Sequence, residues 1–320
     1  MALFLNESDV KSVLTMSLAL EAVEAAHREH GEGVAIDIPR QRTRLPQTSL
    51  HILQGALPSA GVLGYKAYTS NREGIRFFIH LCEAATGRLL AVIEANYLGM
   101  MRTGAVGGVA AKWLARADST VLGVFGAGWQ ARSQIEAVCA VRPIKHVKVH
   151  ARNLEKLKVF CAEMEKQLNV AVVPTESARE TVEESDVVVT ITNSATPVFE
   201  GDWLQVGTHL NAAGSNSLIR REIDETAIKR ASLICVDSRA VALKEAGDLL
   251  PAFEKGRLHE GALVELGEVI AGVRAGRSEK RGAEQITLFE SQGMAIQDIA
   301  VAIRVLALAK ERGLGVELPF

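Results

Sequence analysis

The segment Val121-Leu-Gly-Val-Phe-Gly-Ala-Gly-Trp-Gln-Ala131 sets Gly126, Gly128 and Ala131 in a G-x-G-x-x-A spacing, directly after an apolar run and directly before a helical pattern. In such a turn the first glycine permits the tight bend. The second lets backbone approach a pyrophosphate, and the third small residue lets the helix pack on the strand. The N–H groups that open the helix then face anionic phosphates. The spacing alone is common, but its position is not. More than a hundred residues precede it, enough for a folded structure of their own.

From residue 121 onward the rhythm is strand, helix, strand. Apolar segments at 121–125, 146–151, 170–173, 187–192, 209–213 and 233–236 alternate with helical patterns such as 154–167 and 178–184. That alternation predicts a parallel, doubly wound sheet. The preceding region reads differently. Short β-like runs at 42–45, 50–54, 64–69 and 77–82 follow one another without helices, so an antiparallel or mixed sheet is expected. Residues 89–94 read as a further strand and 95–115 as a long helix rich in Ala and Gly. Ser8 or Thr15 is expected to cap N-terminal helices running to His30. Residues 255–282 read as helical and charged, and 293–311 as an amphipathic helix returning to the N-terminal domain. The expected fold class is α/β. A Rossmann sheet over 119–293 is joined to a discontinuous α+β domain made of 1–118 and 294–320.

The 320 residues are 48% hydrophobic and 23% charged, with a formal net charge of −2. That balance gives no electrostatic reason to expect nucleic acid or a membrane surface as partner. Cys82, Cys139, Cys161 and Cys235 are scattered, without C-x-x-C pairs or histidines at metal-ligand spacing, so neither a disulfide framework nor a metal is expected. The first residues lack the basic start and long apolar core of a signal peptide. No uncharged apolar run reaches the roughly 18 residues that span a bilayer. A cytoplasmic protein is the expectation.

In a dinucleotide fold the end of the second strand meets the adenine ribose. An acidic side chain there selects NAD, and a nearby Arg accommodates a 2′-phosphate. Here Ala151 holds the expected acidic position and Arg152-Asn153 follow. A guanidinium with no competing carboxylate favours NADP, with NAD as the alternative.

Other segments add to the turn. Ala95-Asn-Tyr-Leu-Gly-Met-Met-Arg-Thr-Gly-Ala105 resembles the R-T-x-A segment of the ornithine cyclodeaminase/mu-crystallin family. Leu210-Asn-Ala-Ala-Gly214 with Arg221-Glu-Ile-Asp224 is similar to its post-strand loop. Ile286-Thr-Leu-Phe-Glu-Ser-Gln-Gly293 with Ile296-Gln-Asp298 is similar to its C-terminal signature. The matches run in order from about Pro39 to Gly313. The resemblance implies a homodimer, each subunit with a Rossmann domain and a dimerisation domain built from both chain ends. The shared chemistry it implies is hydride transfer between a nicotinamide and the carbon of a C=N bond next to a carboxylate.

It also implies roles for residues. Arg42 matches the family arginine that contacts the substrate carboxylate, but Arg40 and Arg44 share its strand face by period two, so the assignment among the three stays open. Lys66 matches the substrate-site lysine, and a lone Lys inside an apolar strand is itself costly unless paired or functional. Arg102 belongs at the carboxylate or the nicotinamide. Trp129 and Gln130 would offer backbone N–H groups to the pyrophosphate beside Gly126, Gly128 and Ala131. Arg152, Asn153, Thr192, Ala213, Gly214, Arg220 and Ser291 complete the expected cofactor set, and Gln292 the substrate set. Where several family members carry an acidic residue in a Gly-x-Asp step, this chain has Gly214-Ser-Asn216. Asn216 cannot exchange a proton near neutral pH, although it can hold a water or an imine N–H. Cyclodeamination, which needs that acid/base work, is thereby disfavoured relative to plain imine reduction.

The leading expectation is an NAD(P)H-dependent reductase of α-imino acids, cyclic such as pyrroline-2-carboxylate or acyclic such as iminosuccinate, running backwards as an amino-acid dehydrogenase. Lys66 and Asn216 are its expected catalytic residues. Ornithine cyclodeaminase is one alternative, and a protein that retains NADPH without turnover, as mu-crystallin does, is another.

Overall fold

The computed structural model describes residues 1–72, 74–278 and 282–319. In chain order β1 (Leu3–Leu5), α1 (Glu7–Val13) and α2 (Met16–Gly31) lead into β2 (Ile36–Arg44), β3 (Ser49–Leu57), β4 (Val62–Asn71), β5 (Gly74–Glu83) and β6 (Leu89–Glu94). The helix α3 (Asn96–Leu114) follows, then β7 (Val121–Phe125), α4 (Trp129–Val141), β8 (His146–His150), α5 (Leu154–Leu168), β9 (Ala171–Pro174), α6 (Ala178–Val182) and β10 (Val187–Thr190). Next come β11 (His209–Ala212), α7 (Glu225–Arg230), β12 (Leu233–Val236), α8 (Arg239–Glu245), α9 (Leu250–Glu254), β13 (Leu263–Glu265) and α10 (Leu266–Ile270). The chain ends with β14 (Thr287–Glu290), α11 (Ala295–Glu311) and β15 (Val316–Glu317). Two compact units result, Met1–Val106 with Met294–Phe320, and Gly107–Gly293. Among the described residues no helix is long and apolar enough to cross a membrane.

The first unit holds a mixed sheet in the order β15-β1-β6-β5-β4-β3-β2. Only β1 and β6 run parallel; the meander from β2 to β6 is antiparallel, as consecutive strands without crossover helices require. One face lies under α11, which packs on β3, β4, β5 and α2. Ile296, Ile299, Val301 and Val305 of α11 are fully buried, each contributing roughly 1.5–3 kcal/mol. Close approach needs Gly55, where a Cβ would press on Ile296 and Ala295. Asp37 of β2 accepts from the Ile296 N–H at 3.2 Å and so satisfies one orphan donor at the start of α11. The opposite face leaves Ile36, Ile38, Leu50, Leu63 and Tyr65 exposed.

In the second unit all eight strands are parallel, in the order β13-β12-β14-β11-β10-β7-β8-β9. The strand order reverses about β7, the pattern of a doubly wound fold. Val187 to Val189, Leu122, Val124, Val147 and Val149 are buried to the last atom, as expected for strands covered on both faces.

Several expectations need correction. The helical reading of 255–282 fails over most of its length: among the described residues its only α-helix is α10, five residues long, with β13 just before it. Gly256 and Gly272 take positive φ and stop α9 and α10. Residues 279–281 lie outside the described residues. Four strands were not foreseen, β1 and β15 in the first sheet and β13 and β14 in the second, where β14 inserts between β11 and β12. Asn6, not Ser8, caps α1, while Thr15 caps α2 as expected. His80 of β5 is half-buried and stacks on Tyr65 at 4.5 Å.

Candidate active site

Lys66 lies mid-β4, in register with Leu53 of β3 and Ile79 of β5, on the face that α11 covers. An ammonium 2% exposed in such a row must be paired. Its partner is Asp298 of α11, with Nζ 2.6 Å from Oδ2. The other oxygen of Asp298 accepts from Arg102 Nε at 3.0 Å. Arg102 Nη1 donates to Gln297 Oε1 at 2.9 Å, leaving the rest of its guanidinium edge for a ligand. The Gln297 amide nitrogen sits 3.1 Å from His27 Nε2. Burial, aided by the charge of His30, pulls the His27 pKa down to about 3. A neutral ring nitrogen therefore accepts from Gln297 and holds the amide oxygen toward Arg102. Burial lowers Lys66 most, the Arg102 charge adds to it, Asp298 opposes both, and the outcome is about 7. An amine at that value gives and takes protons near neutrality.

The three candidate arginines differ in burial. β2 bulges between Ile38 and Gln41, which leaves Pro39 and Arg40 opposite Leu53, in the row of Lys66. Arg42 pairs with His51 one row further along. Arg40 is buried, Arg42 half-buried and Arg44 exposed. His51 stacks on Tyr68 at 4.3 Å, and Phe77 lies beyond Tyr68 and 5.7 Å from the Lys66 ammonium. Burial and then the charges of Arg42, Arg40 and Arg44 bring His51 down to about 4, so this wall is uncharged at neutral pH. Register thus puts Arg40 nearer Lys66 than the matched Arg42.

The glycine turn of the second unit has the form a pyrophosphate requires. Gly126 has φ of 112°, and a Cβ there would strike the Ile191 carbonyl. A Cβ on Gly128 would meet nothing within 4 Å, so the space beside it is open. Gly128 is the N-cap of α4 and offers no side-chain acceptor, so the first N–H groups of the helix, at Trp129 and Gln130, keep their donor capacity. Ala131 is fully buried against the sheet. Helix dipole and orphan donors fit a dinucleotide phosphate. Past β8, Ala151 is followed by Arg152, which is exposed and holds no ion pair among the described residues. Asn153 spends its amide oxygen on capping α5, accepting from Lys156 N at 3.0 Å.

Beyond the central strands the loops are tied by carboxylates. Asp237, just after β12, accepts from Ser291 Oγ at 3.3 Å, Gln292 N at 3.0 Å and Gly293 N at 2.6 Å. Gln292 Nε2 donates to Glu290 at 2.9 Å. Burial raises Asp237 to about 6, and drives Glu290 well above the usual carboxylate range with help from the charges of Asp248 and Glu222. Thr192 and Ala213 are half-buried in the loops after β10 and β11, and Gly214 approaches Thr192 closely. Asn216 and Arg220 are exposed on the loop beyond Gly214.

Sequence reasoning missed Asp298, Gln297 and His27 as members of the Lys66 group, and Asp237, Glu222 and Glu290 around the loops. For Asp298 a signal existed. A charged residue inside the apolar run 295–302 is as costly as Lys66 inside β4.

A family model described as the ornithine cyclodeaminase/mu-crystallin family matches residues 1–313. A Delta(1)-pyrroline-2-carboxylate reductase of Bacillus cereus is 34% identical over 99% of this chain and 100% of its own. The Thermococcus litoralis Delta(1)-pyrroline-2-carboxylate reductase, solved with NADH and L-proline, superposes with a TM-score of 0.93 at 35% identity, covering 99% of this chain and 100% of that one. An archaeal alanine dehydrogenase dimer with bound NAD gives 0.93 at 34% identity, over 100% and 99%.

Proposed function

The chain belongs to the ornithine cyclodeaminase/mu-crystallin family, and on that premise we propose that it is an NAD(P)H-dependent reductase of α-imino acids, reversible as an amino-acid dehydrogenase. It is an oxidoreductase of carbon–nitrogen bonds. The observation that carries the reading is the buried Lys66 at a pKa of about 7, held by Asp298 beside Arg102. Such a group supplies a proton to an imine nitrogen, and the adjoining guanidinium grips a carboxylate. When bound, the reduced nicotinamide supplies the hydride to the imine carbon.

Within this reading Lys66 is the proton donor, while Arg102 with Arg42 or Arg40 binds the substrate carboxylate. Gln292 contributes to substrate binding, and Asn216 orders a water or the imine N–H. Gly126, Gly128, Trp129, Gln130 and Ala131 hold the pyrophosphate. Thr192, Ala213, Gly214, Arg220 and Ser291 line the rest of the dinucleotide, and Arg102 borders its nicotinamide. Arg152 and Asn153 take the ribose end, and with Ala151 in place of an acid they favour NADPH over NADH. Asn216 in place of an acidic residue speaks against cyclodeamination.

The substrate and dimerisation domain is assigned to 1–118 with 294–320, and the dinucleotide domain to 119–293. A homodimer acting in the cytoplasm is part of the proposal, with the exposed apolar face of the first sheet as the dimer contact. The test is oxidation of NADPH and NADH with a panel of cyclic and acyclic α-imino acids. Turnover of at least one is expected. Tight dinucleotide binding without turnover of any would instead favour a binding protein.

A further inference from the structure

Glu222 follows the loop that carries Asn216 and Arg220, and its side chain is fully buried. It turns back beneath two other loops. Its Oε1 accepts from Thr192 N at 2.5 Å, in the loop after β10. Its Oε2 accepts from Gly214 N at 2.7 Å, in the loop after β11, and from Thr190 Oγ1 at 3.0 Å. No Lys or Arg pairs with it among the described residues, so two backbone N–H groups and the Thr190 hydroxyl are its donors. Its own backbone is fixed in turn, since Asp248 Oδ1 accepts from Glu222 N at 2.6 Å and Ile223 N at 2.8 Å. Gly214 leaves the room. A Cβ there would collide with both Glu222 Oε2 and Thr192.

The placement has a consequence for a bound dinucleotide. In a doubly wound sheet the ligand lies across the C-terminal ends of the strands, with its pyrophosphate at the first glycine turn. The turn here follows β7, and the adenine end falls toward β8 and Arg152. The nicotinamide end then falls on the other side of β7, over the loops of its neighbours β10 and β11. Those are the two loops that Glu222 joins.

We propose that Glu222 is a positioning residue for the nicotinamide half of the cofactor, shaping the Thr192 and Gly214 loops while leaving the phosphate turn at Gly126 independent. This rests on reading the chain as a dinucleotide-dependent reductase. Replacing the carboxylate by an amide sharpens the point. In Glu222→Gln one oxygen becomes an NH2 group, which must face either Thr192 N–H or Gly214 N–H, donor against donor. Whichever way the amide turns, one cofactor loop loses its acceptor.

The test compares NADH with ADP-ribose, which keeps the pyrophosphate and lacks the nicotinamide, by titration calorimetry on the full chain well below its melting temperature. Glu222→Gln is expected to weaken NADH about tenfold and to leave ADP-ribose affinity within about twofold. Thr190→Val, which removes one donor to the same carboxylate and keeps the shape of the core, is expected to show the same split at a few-fold. If Glu222→Gln does not fold, Thr190→Val decides alone. Equal weakening of both ligands, or no weakening of either, overturns the proposal. Failure of the unaltered chain to bind NADPH as well as NADH and ADP-ribose overturns the functional reading itself.

Discussion

At Lys66 the proposed chemistry turns on a single proton. Burial and Arg102 lower this amine to about 7, and Asp298 is what keeps it from falling further. If the ammonium donates to the imine, kcat/KM holds below that value and declines above it. Asp298→Asn removes the raising influence, so a pH–rate profile should show the falling limb displaced to lower pH. A limb that stays in place would assign it to another group. Lys66→Met should cost about 10²–10⁴ in kcat while dinucleotide binding persists. Stability moves the opposite way. Between about 7 and 10.5 the unfolded chain holds a proton that folded Lys66 has lost, so this group's contribution improves as pH rises through that window. In the second unit, Arg152→Ala should weaken NADPH far more than NADH in parallel titrations. Equal losses would reduce Arg152 to a solvated loop residue. Lys66 and Arg102 were legible because a charge in an apolar context stands out in one dimension. Arg40 against Arg42 was not, because a bulge that shifts register leaves no mark in the sequence.

Elements explain why those residues meet. α11 delivers Asp298 and Gln297 to Lys66 because its first turn lies close against β3, over Gly55. Gly55→Ala would press its methyl on Ile296 and on the Ile36 carbonyl. A loss of roughly 1–3 kcal/mol is expected in denaturant unfolding, together with a shift in the Lys66 pH limb as Asp298 moves. Unchanged stability would mean that α11 adjusts without strain. Most strands were readable because alternation or short apolar runs bounded by turn residues mark them. The strand β7 and its turn were readable to the residue. The reading failed between 255 and 282, where Glu, Lys and Arg suggested a helix that glycines at 256 and 272 interrupt. It also missed β14, whose four residues are too few to show a period and which pairs with strands far away in sequence. Carboxylates such as Glu222 and Asp237 act through loop backbone, and backbone partners carry no sequence signature.

For the molecule as a whole, the chain encodes a dinucleotide sheet and a separate unit with a buried, proton-exchanging lysine. The exposed Ile36, Ile38, Leu63 and Tyr65 on one sheet face predict self-association. Light scattering after size exclusion should report a dimer, and Leu63→Glu should yield monomer. A monomeric parent chain would refute that role for the face. The central claim is that hydride goes to the carbon of a C=N bond beside a carboxylate, and isotope transfer tests it most directly. With NADPH or NADH dideuterated at C4, whichever is oxidised faster, and the α-imino acid that turns over fastest, mass spectrometry of the product should find one deuterium, at Cα of the amino acid. An amino-acid product without deuterium at Cα, or no amino acid formed from any member of the panel, would contradict the account.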